Sequence, residues 1–242
     1  MRSDHLPFPM PERPHSLIQE WRDLTFLHWE VDPNQLAAYI PDGLEIDLFE
    51  GKAYVGTIPF MMKNIRPRLT IPLPGISNFP EFNVRTYVKR NGKSGILFLT
   101  LDAQSRITCF YAPRAYGLPY NYSKGKAIVQ GESHRWNTIR PDGTHSFSGF
   151  CSPIGPENTP QPNSIEEFLF EKYCLYVTNN NHLFIAHVQH EPWVYRGGEV
   201  TILENDLTDS FDLGITDSLK PDLVHMSKGV KVFTWSNERV GQ

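Results

Sequence analysis

Two strand-like runs joined by an Asn-Gly pair constrain the fold of this 242-residue chain more than any other feature. Residues 82–89 alternate apolar and polar side chains, and residues 95–102 form a second run after Arg90-Asn91-Gly92-Lys93. A period of two is typical of a strand with one buried face, and Asn-Gly favours the tight turn of a hairpin. The sequence therefore predicts antiparallel sheet in this region.

Further strands are predicted along most of the chain. The region 44–60 alternates around Glu50-Gly51-Lys52, which indicates another hairpin. The remaining strand-like runs are residues 126–136, 174–177, 183–189 and 230–235. With 20 prolines, 17 glycines, 15 Phe and 10 Tyr, the composition favours many strands joined by turns over a helical bundle.

Two short helices interrupt the strands. Asp32 and Pro33 are typical of a helix N-terminus, and Pro41 would end that helix. Ser164 and Glu167 have the spacing of a capping box. We predict a mainly β (α+β) domain over residues 17–242, preceded by a Pro-rich extended arm over residues 1–16.

Charge and composition argue against several classes of function. Lysine and arginine number 23 against 27 acidic residues, so the net charge of -4 gives no global attraction for nucleic acid or anionic lipid. The chain has no apolar stretch long enough to span a membrane, so we expect a cytoplasmic protein without a membrane partner. Cys109, Cys151 and Cys174 fit neither a disulfide framework nor a zinc site. We expect no metal and no cofactor.

The first of the predicted strands carries an unusual polar face. Because alternate residues of a strand point the same way, Glu81, Asn83, Arg85 and Tyr87 share one side. One interpretation is a solvated face of an outer strand. The other is a pocket, since a carboxylate, an amide, a guanidinium and a phenol together bind and orient a polar ligand.

Two further segments carry candidate pocket residues. Tyr116 and Tyr120 flank the turn Gly117-Leu118-Pro119, which is either a rigid arm over a cavity or an ordinary packed corner. Arg22 lies in a predicted strand, residues 21–31, where it either points inward or pairs with a surface acid.

The order of landmarks along the chain resembles that of acetoacetate decarboxylases. The landmarks are Arg22, the Asp32-Pro33 helix start, the turn of residues 40–44, Pro80-Glu81 and Gly117-Leu118-Pro119. Within that superfamily the chain looks closest to the uncharacterised YqjF-like branch. The segments that carry this likeness are FPEFNVRTYV, YGLPY, EKYCLY, HVQHEPW and MSKGVKVFTW.

The resemblance implies an antiparallel barrel or cone-like sheet around a pocket that contains Arg22 and Glu81. It also implies a missing nucleophile, because Tyr120 and Asn121 stand where the family has two lysines, the first of which forms a Schiff base. Neither residue supplies the primary amine that a Schiff base requires. Lys124 and Lys126 follow at other positions.

Two hypotheses for function remain open, with a structural or interaction role as a third. In the first, the protein is a non-covalent enzyme acting on a small oxo acid or related carbonyl compound. Arg22 or Arg85 would bind the carboxylate, Glu81 would move a proton and Tyr120 would donate to the oxyanion.

In the second hypothesis, the same groups, with Asn83, Tyr87 and Tyr116, bind a small ligand without catalysis. Polar exposed edges are compatible with a small homo-oligomer.

Overall fold

The alternating runs of the sequence form long strands in the computed structural model, which describes residues 3–241. Within those residues fourteen strands join one sheet. Their bounds are β1 (Leu17–Val31), β2 (Glu45–Ile46), β3 (Ala53–Pro67), β4 (Phe79–Arg90), β5 (Lys93–Ala103), β6 (Tyr120–Tyr122), β7 (Lys124–Gln130), β8 (Ser133–Ile139), β9 (Phe147–Asn158), β10 (Cys174–Asn179), β11 (His182–His190), β12 (Tyr195–Asn205), β13 (Leu223–Thr234) and β14 (Glu238–Arg239). The helices are α1 (Pro33–Leu36), α2 (Arg106–Tyr116), α3 (Ile165–Phe170) and α4 (Asp206–Asp209). The prediction of a mainly β fold with few short helices is confirmed.

Seven of these strands form a closed circuit of hydrogen-bonded neighbours, which we call the ring. The circuit runs β1, β3, β4, β5, β10, β11 and β13, and β13 closes it by pairing with both β11 and β1. Strands β12, β9, β8 and β7 continue from the first half of β13 as a flanking layer. Most pairs are antiparallel as predicted, whereas β5 pairs in parallel with β10 and with β6.

Two buried clusters occupy opposite faces of the ring strands. The outer cluster joins Val84 of β4 to Phe147 of the flanking layer. The inner cluster joins Tyr87 of the same strand to Leu169 and Phe170 of α3. Because successive side chains of a strand alternate between faces, β4 serves both clusters at once.

Two capped helices pack on the inner cluster. The Ser164 hydroxyl accepts a hydrogen bond from the backbone of Glu167 at 3.2 Å, which fixes the start of α3. The cap of α2 is Ser105, and Gly117 ends that helix with a left-handed φ of 69°. Cys109 of α2 packs against the inner cluster. The two helices thereby cover the interior of the ring.

Two local predictions differ from the structure, and one helix was not predicted. Strand β2 pairs with β4 and not with β3, so residues 44–60 are not a simple hairpin, although Phe49 and Lys52 form the expected tight turn. Residues 126–136 divide between β7 and β8 because the chain turns at Gly131, whose φ is 65°. Helix α2 was not predicted, since its sequence contains β-branched and aromatic residues and an internal proline, Pro113.

The Pro-rich arm packs on the domain without regular structure over residues 3–16. The indole Nε1 of Trp235 donates to the Arg13 carbonyl at 2.7 Å, and His5 Nε2 lies 2.9 Å from the His190 carbonyl. Residues 1, 2 and 242, which the predicted arm and domain include, lie outside the described residues. In the described part of the chain, no helix has the length and hydropathy needed to cross a membrane.

Candidate functional site

The polar face of β4 lies inside the ring. Glu81, Asn83 and Arg85 expose only 3%, 4% and 6% of their surface, and Tyr87 is fully buried. Their burial excludes a solvated outer face. Burying a carboxyl, an amide and a guanidinium costs free energy unless each finds partners, so the contacts of each group indicate what the site can do.

A cavity of about 30 Å³ adjoins this row. Glu81, Asn83 and Arg85 line it together with apolar side chains that include Phe98 and Leu175. A space of this size holds about two water molecules. Three of the lining side chains, Trp21, Phe98 and Leu175, are only partly buried.

Glu81 and Tyr120 form a hydrogen-bonded pair within the protein. The Tyr120 hydroxyl donates to Glu81 Oε2 at 2.7 Å. Burial raises the pKa of Glu81 to about 7, and the hydrogen bond from Tyr120 limits that rise. Burial and the neighbouring Glu81 raise the pKa of Tyr120 well above its ordinary value. Glu81 can therefore gain or lose a proton near neutral pH beside a hydroxyl that stays protonated.

Arg85 is a buried cation that lacks a carboxylate partner in the described part of the chain. Its Nη2 donates to the Leu169 carbonyl at 3.2 Å, while its Nε has no hydrogen-bond partner. Asn83 Oδ1 and Trp21 Nε1, on residues that line the same cavity, also lack partners. Buried polar atoms are normally satisfied, so this concentration of unpaired atoms points to a polar occupant.

Tyr87 anchors the row to α3. Its hydroxyl donates to the Leu169 carbonyl at 3.2 Å and lies 2.7 Å from His28 Nε2. Burial, with the positive charge of Arg85 nearby, lowers the pKa of His28 well below its ordinary value. A neutral ring with a proton on Nε2 would donate to Tyr87. The Tyr87 hydroxyl is therefore engaged by the protein itself.

Lys172 also lines the cavity, and no sequence pattern pointed to it. Its Nζ lies 3.3 Å from Asp47 Oδ2 and donates to the Ser94 hydroxyl. Burial lowers the pKa of Lys172, and Asp47 opposes that shift. Lys172 lies two residues after the end of α3, so its position beside β5 depends on how α3 packs.

Arg22 and Tyr116 are not among the residues that line the cavity. Trp21 lines it, and the next residue of a strand points away, so Arg22 instead pairs with Glu20 at 2.7 Å. Tyr116 ends α2 with its ring against Tyr111. Their positions do not support the ligand-binding roles predicted for them. Of the other predicted residues, Glu81, Asn83 and Arg85 line the cavity. Tyr87 and Tyr120 do not line it and adjoin the row through hydrogen bonds to Leu169 and Glu81.

The lysines after the predicted turn lie away from the cavity, whereas Cys174 lines it and Cys109 packs against the inner cluster. Lys124 and Lys126 are exposed on β7. The cysteines are unpaired, and burial raises the pKa of Cys109 to about 11 and of Cys174 to about 12. Over residues 3–241 no group of three His, Cys, Asp or Glu side chains is arranged to hold a metal ion.

Sequence comparison finds one described family and one curated relative. The model of the DUF2071 family, described as an uncharacterized conserved protein, matches residues 18–231. The uncharacterized protein YqjF of Bacillus subtilis is 36% identical over 218 residues, which cover 90% of this chain and 89% of YqjF. These matches confirm the YqjF-like resemblance drawn from the sequence.

Solved structures share the fold at low identity. An acetoacetate decarboxylase from Legionella pneumophila matches with a TM-score of 0.61 and 13% identity over 98% of this chain and 93% of that protein. The enduracididine biosynthesis enzyme MppR complexed with pyruvate matches with a TM-score of 0.57 and 15% identity over 95% of this chain and 90% of MppR. At such identities the likeness establishes the acetoacetate decarboxylase-like fold alone.

Proposed function

The chain belongs to the DUF2071 family. We propose that the interior of its ring binds a small oxo acid or related carbonyl compound. The protein would move a proton on this ligand without forming a covalent intermediate. The observation that carries the proposal is Arg85, a buried guanidinium without a carboxylate partner. An unpaired buried charge is costly, and an anionic ligand would remove that cost.

Recognition of the carboxylate falls to the middle of β4. A guanidinium binds a carboxylate through short charge-assisted hydrogen bonds, and the unpaired Nε of Arg85 is available for one of them. Asn83 supplies an amide two residues along the same face. Apolar walls that include Phe98 and Leu175 suit a short carbon skeleton.

Proton transfer falls to the other end of the row. Glu81, with a pKa of about 7, would take a proton from the carbon beside the carbonyl group as the electron pair moves to the carbonyl oxygen. The Tyr120 hydroxyl donates to Glu81 in the free protein. Once Glu81 is protonated, that hydroxyl would turn to donate to the developing oxyanion. Glu81 would then exchange this proton with solvent, and transfer of a solvent-derived proton back to the same carbon completes the exchange.

A non-covalent route is favoured because no amine of the site is free to form a Schiff base. Tyr120 and Asn121 provide no amine beside Glu81, and the Lys172 ammonium group is held by Asp47 and Ser94. Among proteins that share this fold, MppR forms a complex with pyruvate and another is an acetoacetate decarboxylase, which supports a small oxo acid as the ligand class.

Ligand entry requires the cavity to widen, because a three-carbon acid exceeds a space for about two water molecules. The partly exposed side chains Phe98 and Leu175 are the walls that would rotate outward. We expect Phe98→Ala to raise the association rate of such a ligand.

Binding without turnover is the second candidate function. It is favoured by the absence of an amine at the two positions after Pro119, because the chain has lost the nucleophile while it keeps Asn83 and Arg85 for recognition. The two candidates differ in one observable, the exchange of ligand protons with solvent.

The test combines affinity with proton exchange. Calorimetry with pyruvate, 2-oxobutyrate and acetoacetate measures binding, and proton NMR in heavy water measures deuterium entry beside the carbonyl. We expect Arg85→Met to weaken binding by about ten-fold or more, and Glu81→Gln to retain binding while abolishing exchange. Exchange by the wild type should increase as the pH rises through about 7, because the ionised Glu81 is the base.

Arg22→Met is the matched control, since it removes an arginine that does not line the cavity. Its affinity should stay within about two-fold of the wild type. Equal losses in both arginine variants would contradict the proposal. Ligand binding without exchange would leave the second candidate, and a borohydride-stable adduct would refute the non-covalent route.

A further inference from the structure

Helix α2 turns an apolar stripe toward solvent. Ile107, Phe110 and Tyr111 are all more than half exposed and stand at the i, i+3 and i+4 positions of one helix face. Cys109 and Ala112, on the other side, are the residues that face the protein. An amphipathic surface helix normally has a polar outer face, whereas α2 has apolar residues on both its inner and its outer face.

The loop between β3 and β4 exposes a second apolar group. Leu69, Ile71 and Leu73 are 90%, 77% and 53% exposed. Exposed leucines and isoleucines are common singly, but three at alternate positions of one loop are not. Pro72 and Pro74 within the loop have no backbone donor, so this segment is poorly suited to pairing with a strand edge.

Both apolar groups lie at the Glu81 end of the ring. Ile65, at the base of the loop, and Cys109 of α2 pack against the same inner cluster. The Gln104 backbone, just before α2, donates to the Pro80 carbonyl, just after the loop. We call the six exposed side chains of the two segments the docking face: Leu69, Ile71, Leu73, Ile107, Phe110 and Tyr111.

The two segments that carry the docking face contain only positive charges. Residues 64–78 and 104–118 contain four arginines and no acidic residue, whereas the rest of the chain has 19 basic against 27 acidic residues. The four are Arg66, Arg68, Arg106 and Arg114. In the described chain none of them forms an ion pair with a carboxylate. Arg114 lies 4.1 Å from the centre of the Phe110 ring, so charge and apolar surface are intermixed.

A self-contact of this face is disfavoured by its charge. In an isologous dimer the same patch meets itself, which would bring unpaired arginines of both copies together. The complement must be anionic and must accept protruding apolar side chains. A bilayer with anionic headgroups has both properties and demands no matching shape.

We propose that the docking face attaches the protein to the surface of membranes that contain anionic lipid, with the apolar side chains inserted at the headgroup level. The acidic remainder of the chain would face away from the bilayer, which fixes one orientation. The net charge of -4, from which the sequence predicts no membrane partner, hides this local separation of charge. The inference is independent of the ligand proposed for the ring.

The test is sedimentation of the full-length protein with vesicles of phosphatidylcholine alone or mixed with phosphatidylglycerol. We expect binding to the mixed vesicles to exceed binding to the neutral ones by about a hundred-fold or more, and added salt to reduce it. The double change Arg68→Gln and Arg114→Gln should weaken binding by about thirty-fold. The triple change Leu69→Ser, Ile71→Ser and Leu73→Ser should also reduce it.

Matched controls alter exposed residues elsewhere. Lys220→Gln removes an exposed basic side chain and Leu203→Ser an exposed apolar one, and both variants should bind as the wild type does. Absence of sedimentation with either vesicle would overturn the proposal. A wild-type dimer in solution that the triple change converts to a monomer would also overturn it, because the face would then bind a second copy.

Discussion

Two arginines that contact the β4–β5 hairpin from different sides, or belong to it, differ in their partners: Arg140, after β8, and Arg85 of β4. On the outer side, both oxygens of the fully buried Asp102 accept hydrogen bonds from Arg140 at 2.8 Å, and Thr100 adds a further contact at 3.0 Å. On the inner side, Arg85 finds a backbone carbonyl but no carboxylate. The first arrangement is complete within the protein, and the second is not.

The difference distinguishes a charge pair that stabilises the fold, Asp102 with Arg140, from a charge that a ligand could pair with, Arg85. Buried ions are tolerated when geometry and hydrogen bonds compensate their lost hydration. Asp102 and Arg140 meet that condition and tie the segment after β8 to β5. Arg85 does not meet it, and Asn83 Oδ1 and Trp21 Nε1 nearby also lack hydrogen-bond partners. The inner row is therefore the place where a ligand would gain most from binding.

The largest expected effect comes from breaking the paired site. Asp102→Asn would leave Arg140 without its counter-charge and should lower the free energy of unfolding by about 3–5 kcal/mol, measured by urea denaturation. Arg85→Met, which removes a charge that has no carboxylate partner, should leave that free energy unchanged or raise it. Equal destabilisation by both changes would erase the distinction.

The next effect is a pH dependence that arises from Glu81. Because burial raises its pKa from 4.5 to about 7, the folded protein keeps a proton that the unfolded chain has already released. This contribution to stability is complete below about pH 4.5 and is lost as the pH rises to about 7. Over that range it should amount to about 3 kcal/mol.

Glu81→Gln should remove that dependence. The difference in unfolding free energy between wild type and variant, followed by urea denaturation across the same pH range, isolates the contribution of Glu81. Parallel stability curves for the two proteins would show that folding does not raise the pKa of Glu81.

A third experiment makes the inner site resemble the outer one. Asn83→Asp places a carboxylate two residues from Arg85 on the same face of β4. Affinity for an oxo acid should fall by about ten-fold, because the introduced carboxylate competes for the guanidinium. Calorimetry measures the loss, and Asn83→Ser, which adds no charge, is the control. Unchanged affinity in the Asp variant would show that Arg85 does not bind the carboxylate.

The smallest expected effect concerns the hydrogen bond to Glu81. Tyr120→Phe removes a donor that stabilises the ionised carboxyl, so the pKa of Glu81 should rise further. The free-energy change should be about 1 kcal/mol. Carbon NMR of labelled glutamate measures the titration, and a lower pKa in the variant would contradict the assignment.

Local patterns in the sequence predicted much of the fold and part of the site. The alternation of residues 82–89, the Asn91-Gly92 turn and the cap at Asp32 all became the structures they predict. The same alternation identified the shared face of Glu81, Asn83 and Arg85, because a period of two is a property of the backbone. Helix α2 escaped prediction, since tertiary packing overrode weak helix propensities and Pro113.

The sequence by itself determined which side chains of β4 share a face, and through the resemblance it determined the family. Only the tertiary structure decided that this face is internal, because a strand pattern does not distinguish the inside of a ring from an outer surface. Closure of β13 onto β11 buries Arg85, and the packing of α3 brings Lys172 to the same cavity. Contacts between residues distant in sequence form when the ring closes, and a local two-residue period does not predict which residues will make them.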